Sequence, residues 1–535
     1  MGAHRNSKTN AIKPTMSVYN GIALIATQMI GSGIFITPAI VVADVQSVGM
    51  AFILWIVAAL ISLCGANAFV ELGMLFPKSG GSLNYFAYMF RKPKYLLSFI
   101  YCLTQILVIW PAAISSELNA TSTQLLYNID KTDKVMYGWY IKIASVVILT
   151  VICLINYFSV SFAMKLSTGL TYIKFYTLYA LCIAGVFAYC GFSVLPINHN
   201  IQLFGGQSSN PSDYASAFFK LLWVFDGWSN LNYAIEEMKD PKRDFPTAVY
   251  GGVGITSVLY LITNFFFITI VPFDQILTSS TSIAAVYSEI IFGEFVGGKI
   301  VPFLIFLSCY GTTDNMVYTV SRIIHASARS KIIPFYSVFS KLDLKRGSPG
   351  PALLYTWIIS VVLVLLPLSD DAFTFFLQMA IYPKWIFYSI AVIGLLYLRY
   401  SEPELIRPVT AWVICCVAVI IASIFLAIFP LLGSDMVASV VSLAVMVASI
   451  FIYFIIRKQV IQADFGFDTM MKRTGDVEER IGSSIEYNDP STVRKPEETV
   501  YSEMNDYSFH DEDGDFYAPS EHHKNEEYHE PHINQ

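Results

Sequence analysis

Residues 27–38 read Thr27-Gln-Met-Ile-Gly-Ser-Gly-Ile-Phe-Ile-Thr-Pro38, inside an apolar run from about residue 17 to 43. About 20 apolar residues suffice for a helix to cross a hydrocarbon core roughly 30 Å thick. Half-way along this one, Gly31 and Gly33 flank Ser32, and Pro38 follows. In lipid no water satisfies freed backbone groups, so a break is tolerated only where it faces protein, a ligand or a water-filled cavity. The NH groups that open the second half-helix form a positive dipole end suited to a carboxylate. The freed carbonyls suit an ammonium. Small residues also let helices pack closely, which is the competing reading of the same Gly-Ser-Gly.

A second break is expected in Leu222-Trp-Val-Phe-Asp-Gly-Trp-Ser-Asn-Leu-Asn232, where Asp226 and Gly227 interrupt another apolar span. An ionisable residue in mid-membrane is costly and marks function. The alternative is a carboxylate hydrogen-bonded to a neighbouring helix for packing.

Twelve spans are expected by length and apolarity: α1 17–43, α2 49–76, α3 96–127, α4 139–158, α5 166–192, α6 215–237, α7 247–270, α8 299–328, α9 351–367, α10 372–398, α11 409–431 and α12 435–457. The two breaks fall in α1 and α6, five spans apart. Interrupted helices at corresponding positions of two halves are the sequence sign of an inverted repeat with a midplane binding site. The fold class is therefore an all-α polytopic membrane protein of about 12 transmembrane helices, a LeuT-type 5+5 inverted repeat with broken helices 1 and 6. Helices 11 and 12 are peripheral.

Composition agrees. Of 535 residues, 55% are hydrophobic and only 14% charged, against roughly 25% charged in soluble domains. A soluble enzyme, a nucleic-acid binder and a disulfide scaffold are excluded. The net charge of −6 hides two regions. Residues 458–535 hold 7 Lys and Arg against 19 Asp and Glu, a net −12; the remainder holds 27 against 21, a net +6. The chain thus reads as an N-terminal arm (1–16), a membrane body (17–457) and an acidic tail (458–535) too polar to order itself. With the N-terminus inside, loops on that side hold Lys78, Arg91, Lys92, Lys94, Lys165, Lys239, Lys242, Arg243, Arg329, Lys331, Lys341, Lys345, Arg346, Arg399 and Arg407. The opposite loops hold Lys131 and Lys134, with Lys299 at a border. The positive-inside rule then makes both termini cytoplasmic. The eight cysteines show no metal-ligand spacing and no disulfide framework. No His lies well inside a span, which disfavours membrane redox chemistry. No cofactor and no metal are expected, the cluster His522, His523, His529 and His532 being read as solvated tail. The sequon Asn119-Ala-Thr121 falls inside α3 and should carry no glycan.

Four further stretches stand in order with these: Glu71-Leu-Gly73 with Pro77-Lys-Ser-Gly-Gly81, Phe225-Asp-Gly-Trp228, Glu236-Glu-Met-Lys-Asp-Pro241, and Ser401-Glu-Pro-Glu-Leu-Ile-Arg-Pro408. Together with Ile30-Gly-Ser-Gly-Ile-Phe35, this set resembles the L-type amino-acid transporter branch of the amino acid–polyamine–organocation superfamily, from about Tyr19 to Arg457. Within that branch the chain is most similar to fungal methionine permeases. The resemblance implies a substrate site at Met29, Ile30, Gly31, Ser32, Gly33, Trp223, Val224, Phe225 and Asp226. The substrate carboxylate would meet the NH groups of Gly31, Ser32 and Gly33, and its ammonium the carbonyls of Met29, Trp223 and Asp226. Trp223 would be the gate over the substrate. The family usually has Gly where this chain has Asp226, which suits either a cationic side chain or proton coupling.

Lys174, in α5, occupies by resemblance the position of a sodium ion in sodium-coupled relatives, which implies sodium independence. It is the expected coupling residue, either carrying the transported proton or standing as a fixed ammonium. Glu117, Asp314, Asn315 and Lys384 are further candidates for a polar pathway, with pairing of Glu117 and snorkelling of Lys384 as the plainer readings. Cys309 and Tyr310 either line the pocket or pack. The resemblance implies a plasma-membrane importer of neutral amino acids, methionine preferred, by proton symport with alternating access. An obligatory exchanger, a cationic amino-acid transporter and a nutrient receptor are the alternatives. The loop Asp130–Gly138 has no Cys, so no disulfide-linked heavy chain is expected. Cytoplasmic lysines, Lys8, Lys13, Lys458, Lys472 and Lys495, are implied as ubiquitylation sites for endocytosis.

Overall fold

A computed structural model of the chain describes residues 16–129, 134–195, 203–278, 282–343, 346–366, 371–431 and 436–463. The N-terminal arm before Met16, the tail beyond residue 463 with its histidines and lysines, and residues 130–133 of the cysteine-free loop lie outside them.

Among the described residues the fold is helical, with isolated β-bridges at Met16–Met238 and Asp343–Ser348 and no strand. Helix α1 forms two halves, Val18–Met29 and Gly33–Val45, bent by 43° at the break. The other spans are α2 Val48–Leu75, α3 Leu96–Leu125, α4 Lys134–Phe158, α5 Val160–Tyr189, α6 Pro211–Val224, α7 Pro241–Ile270, α8 Val296–Arg329, α9 Gly350–Leu365, α10 Ala372–Ser401, α11 Val413–Leu431 and α12 Met436–Val460. Nine of the described helices are long and apolar enough to cross a bilayer, and the bent pair of α1 makes a tenth. The shorter α6 and α9 complete the expected twelve.

Local chemistry sets the ends. Ser17, Ser47, Ser159, Asn210 and Asp371 each accept an NH of the first turn of the helix they precede, the usual role of these side chains at an N-cap. Pro211 follows Asn210 at the first helical position, where its missing NH costs nothing. The expected α6 ran to residue 237, but the α-helix stops at Val224. Beyond it lie only 3-10 turns at Asn230–Tyr233 and Ile235–Glu237. Polar side chains compete there with the helix ladder: Asn232 donates to the Ser229 carbonyl at 3.1 Å. Between α7 and α8, outside any expected span, the chain folds into Phe273–Thr278 and Ile283–Phe292.

The inverted repeat is visible in the packing. α1 packs on α6, α2 on α7, α3 on α8 and α4 on α9. Cross-contacts come in matching pairs too: α1 with α7 and α6 with α2, α3 with α10 and α8 with α5, α5 with α7 and α10 with α2. For these pairs, exchanging each helix for the one five later gives a member of the same group, whereas α4 on α5 and α6 on α10 have no counterpart of similar strength. Five crossings separate the partners, so the halves run through the bilayer in opposite directions. α11 and α12 pack on α10 and leave Ile414, Ile421, Phe451 and Ile455 exposed, as lipid-facing helices do.

The motif stretches meet at the face where α1 begins. The Ser79 NH donates to Glu236 at 3.1 Å, Tyr85 to Asn232 at 2.7 Å, and Tyr101 bonds Tyr233. Met16 and residues 237–239 exchange backbone bonds of 2.8 and 3.0 Å. Glu71 of α2, fully buried, is held by Arg399 at the end of α10, by the Ala411 NH at 2.8 Å, and by Arg407 at 3.6 Å. Arg407 in turn caps the end of α10 through the Leu398 and Glu402 carbonyls. Removing one partner of a buried pair strands the other charge. Glu71→Ala is therefore expected to cost on the order of 3 kcal/mol, read as a clear fall in melting temperature in detergent. Glu71→Gln, which keeps an acceptor, should lose less.

Candidate functional site

The break in α1 strips the backbone around residues 27–34 of helical partners, and the structure supplies substitutes. The Thr27 carbonyl takes Lys174 Nζ at 3.3 Å. The Met29 carbonyl takes the Tyr260 hydroxyl at 2.6 Å and the Gly31 NH at 2.9 Å. The Ile30 carbonyl lies 3.4 Å from the Thr312 hydroxyl; beside it the Gln28 side-chain oxygen Oε1 accepts the Asn315 side-chain amide at 2.9 Å. On the donor side, Ser32 N gives its proton to Glu117 Oε1 at 3.0 Å, and Ser32 Oγ gives its own to Glu117 Oε2 at 2.7 Å. A carboxylate thus sits at the positive end of the second half-helix.

Glycines bring the two breaks together. A Cβ on Gly33 would stand 2.7 Å from Val224, and one on Gly227 would stand 3.0 Å from Gln28. Gly227 also has φ +127°, which ordinary side chains avoid. A Cβ on Gly31 would meet Glu117 Oε1 at 3.2 Å.

Between the breaks lies a cavity of about 20 Å³ lined by Gln28, Met29, Gly31, Ser32, Gly33, Glu117, Trp223, Val224, Asp226, Thr312 and Met316. That is room for about one water, so an organic ligand enters only if the walls part. Seven of the nine residues expected here line it. Ile30 and Phe225 do not: Ile30 is fully buried, and the Phe225 ring packs against Trp55 and Tyr260, centroids 5.7 and 5.3 Å away. The turns at both breaks rotate these two side chains into the protein core. Trp223, the expected gate, is a buried wall residue. Two of the three carbonyls expected to receive an ammonium are already engaged. Met29 uses both lone pairs as above, and the Trp223 carbonyl accepts the Phe225 and Asp226 NH groups. Among the described residues, the carbonyls of Gln28 and Asp226 accept no backbone hydrogen bond.

The charged residues divide into separate seats. Asp226 pairs with Lys384 and accepts the Tyr388 hydroxyl at 3.2 Å. Lys384 therefore points inward, and its reading as a snorkelling side chain is corrected: its partner lies in the protein, and only 13% of the side chain is exposed. Lys174 is fully buried beneath the break and bonds Thr312 as well as Thr27. Asp314 accepts the Asn156 amide at 2.7 Å. Cys309 is buried and neither it nor Tyr310 lines the cavity. Sequence reasoning missed Thr312, Tyr260 and Met316, which carry no mark in the sequence. It also missed the pair Lys220–Asp44 at 2.7 Å, which ties the two half-helices α1 and α6 together. Asp44, Lys220, Asp371 and Gln378 help line a second cavity of about 230 Å³, at the face opposite to Met16. A third, of about 330 Å³, lies beside it against α3. Among the described residues no group of His, Cys, Asp and Glu could hold a metal ion.

A bundle of membrane helices related in two halves, with both counterpart helices broken around one small polar cavity, defines a carrier. Residues 17–456 match the amino acid permease family, and the chain belongs to it: a multi-pass membrane permease for amino acids, not an enzyme. It is 26% identical to the b(0,+)-type amino acid transporter 1 of Mus musculus over 430 residues, 80% of this chain and 84% of that one. It is 29% identical to the cystine/glutamate transporter of Homo sapiens over 408 residues, 74% and 76% of the two chains. To the large neutral amino acids transporter small subunit 2 of Mus musculus it is 28% identical over 445 residues, 83% and 81%. These relatives represent the L-type branch that the motifs pointed to.

Gly31→Val is expected to raise the dissociation constant of a bound amino acid at least about tenfold, since the branched side chain has no room beside Glu117 and Thr312. Gly227→Ala should do the same through its strained backbone. Ligand-dependent thermal shift on purified protein checks both, and wild-type affinity in Gly31→Val would place the site elsewhere.

Proposed function

We propose that the chain imports neutral amino acids, methionine preferred, across the plasma membrane, by sodium-independent symport with protons. The observation that carries this is the facing pair of half-helix ends. The Gly31 NH is turned back on Met29, which leaves the donors at Ser32 and Gly33 to suit a carboxylate, and the open carbonyls of Gln28 and Asp226 suit an ammonium, so the site matches the part common to all amino acids.

Side-chain preference follows from the remaining walls. Met29, Val224, Trp223 and Met316 are apolar or aromatic, and a flexible thioether packs well against such a surface. Asp226 would draw a cationic side chain if it were free, but Lys384 neutralises it, which disfavours the cationic reading. Lys174 holds an ammonium against the broken helix where a sodium ion would otherwise be needed. Substrate enters from the face that carries the two larger cavities, while the bonds around Met16, Ser79 and Tyr233 hold the other face shut. Release follows when those bonds yield. Both termini are read as cytoplasmic on the strength of the loop charges. Lysines in the arm and tail are the proposed handles for ubiquitin-dependent endocytosis, and no disulfide-linked heavy chain is required.

The fixed seat of Lys174, two hydrogen bonds deep in the protein, favours one second reading: an obligatory exchanger in which that ammonium never titrates. Radiolabelled uptake into proteoliposomes separates the two. Symport gives net accumulation of methionine driven by an inside-alkaline pH gradient, unchanged when choline replaces sodium and collapsed by a protonophore. An exchanger takes up label only against preloaded amino acid. Arginine outcompeting methionine and leucine would overturn the neutral preference.

A further inference from the structure

Glu117 is engaged in an unusual way. Its carboxylate is almost wholly buried, and its two oxygens take the Ser32 amide and the Ser32 hydroxyl. Those are donors that the substrate's own carboxylate would need. The oxygen on the amide lies against Gly31, in space that exists only because residue 31 has no side chain. We propose that Glu117 is a tethered stand-in for the substrate carboxylate: substrate displaces it from Ser32, and the displaced group takes up the proton that is carried across. This rests on the reading of the α1 break as the substrate site.

Two carboxylates cannot share one set of donors as anions, because like charges in a buried site repel. A displaced Glu117 must find a cation or a proton. The groups that face it are Tyr260 from α7, Lys174 from α5, and Cys309 and Thr312 from α8; Asp314 acts on the same Lys174. The Tyr260 hydroxyl donates its hydrogen bond to the Met29 carbonyl. Lys174, the one cation of this set, commits two of its three N–H groups to Thr27 and Thr312, which fix it beneath the break. Lys384 is held by Asp226, and Asp314 adds only negative charge. Protonation removes the conflict without a new partner. The proton enters with the substrate from the same face and bonds to one Glu117 oxygen. It leaves toward the other face when the substrate departs and the carboxylate returns to Ser32. A zwitterion and one proton then cross together, so each cycle moves one positive charge.

The wild-type test is calorimetry of purified full-length protein with L-methionine, L-leucine, L-cysteine and L-arginine, in buffers of different ionisation enthalpy. Binding should take up close to one proton per amino acid once the buffer is alkaline enough to ionise Glu117. Affinity there should weaken about tenfold per pH unit. Glu117→Gln, a neutral isostere, should bind the same amino acid with no pH slope and no proton uptake, at least as tightly as the wild type in its most acidic buffer, and should lose accumulation driven by a pH gradient. Binding by wild type without proton uptake, or a pH slope that survives in Glu117→Gln, overturns the inference and leaves the substrate site standing. If none of the four amino acids binds the wild type at any pH, or if Gly31→Val binds as wild type does, the site reading itself fails and the inference with it.

Discussion

A helix that stops half-way across a bilayer leaves backbone groups that nothing in lipid can satisfy, and the centre of this protein is organised around that requirement. Thr27, Met29 and Ile30 lend their carbonyls to Lys174, Tyr260 and Thr312, from α5, α7 and α8. Ser32 lends its amide to Glu117 from α3. One interruption of three residues thus recruits four helices of both repeats. On the function proposed above, the substrate carboxylate would replace Glu117 at Ser32, and its ammonium would take the carbonyls of Gln28 and Asp226, which accept no backbone bond among the described residues.

The two faces of the bundle are built differently. At the face of Met16, the sequence motifs interlock: Ser79 with Glu236, Tyr85 with Asn232, and Glu71 with both Arg399 and Arg407. At the opposite face two cavities of about 230 and 330 Å³ approach the half-helices from either side of Asp371. Between them the central space is only about 20 Å³. Lys220 and Asp44 join the half-helices of α1 and α6 at this face.

The sequence made the fold and the two breaks legible because both are local. Apolar length marks a span, and Gly31-Ser-Gly33 or Asp226-Gly227 inside one marks its failure. Contacts between distant helices were not legible. Glu117 stands 85 residues from Ser32, and Lys384 stands 158 from Asp226. Nothing in either helix states its rotation toward the other. For the same reason Lys384 reads as a snorkelling side chain, and Ile30 and Phe225 as lining residues. The turn that follows a break rotates side chains by an amount that only the packed structure fixes, and it sends Phe225 to Trp55 and Tyr260. The second half of α6 reads as helix because an apolar stretch with Ser229, Asn230 and Asn232 looks long enough to span, while those side chains prefer 3-10 turns.

The most direct measurement is an electron cryo-microscopy structure with a saturating amino acid bound. Its carboxylate should lie on the amide and hydroxyl of Ser32, with Glu117 swung away and its ammonium against the carbonyls of Gln28 and Asp226. An amino acid resting elsewhere, with the Ser32–Glu117 bonds intact, would contradict the broken helix as the seat of the substrate.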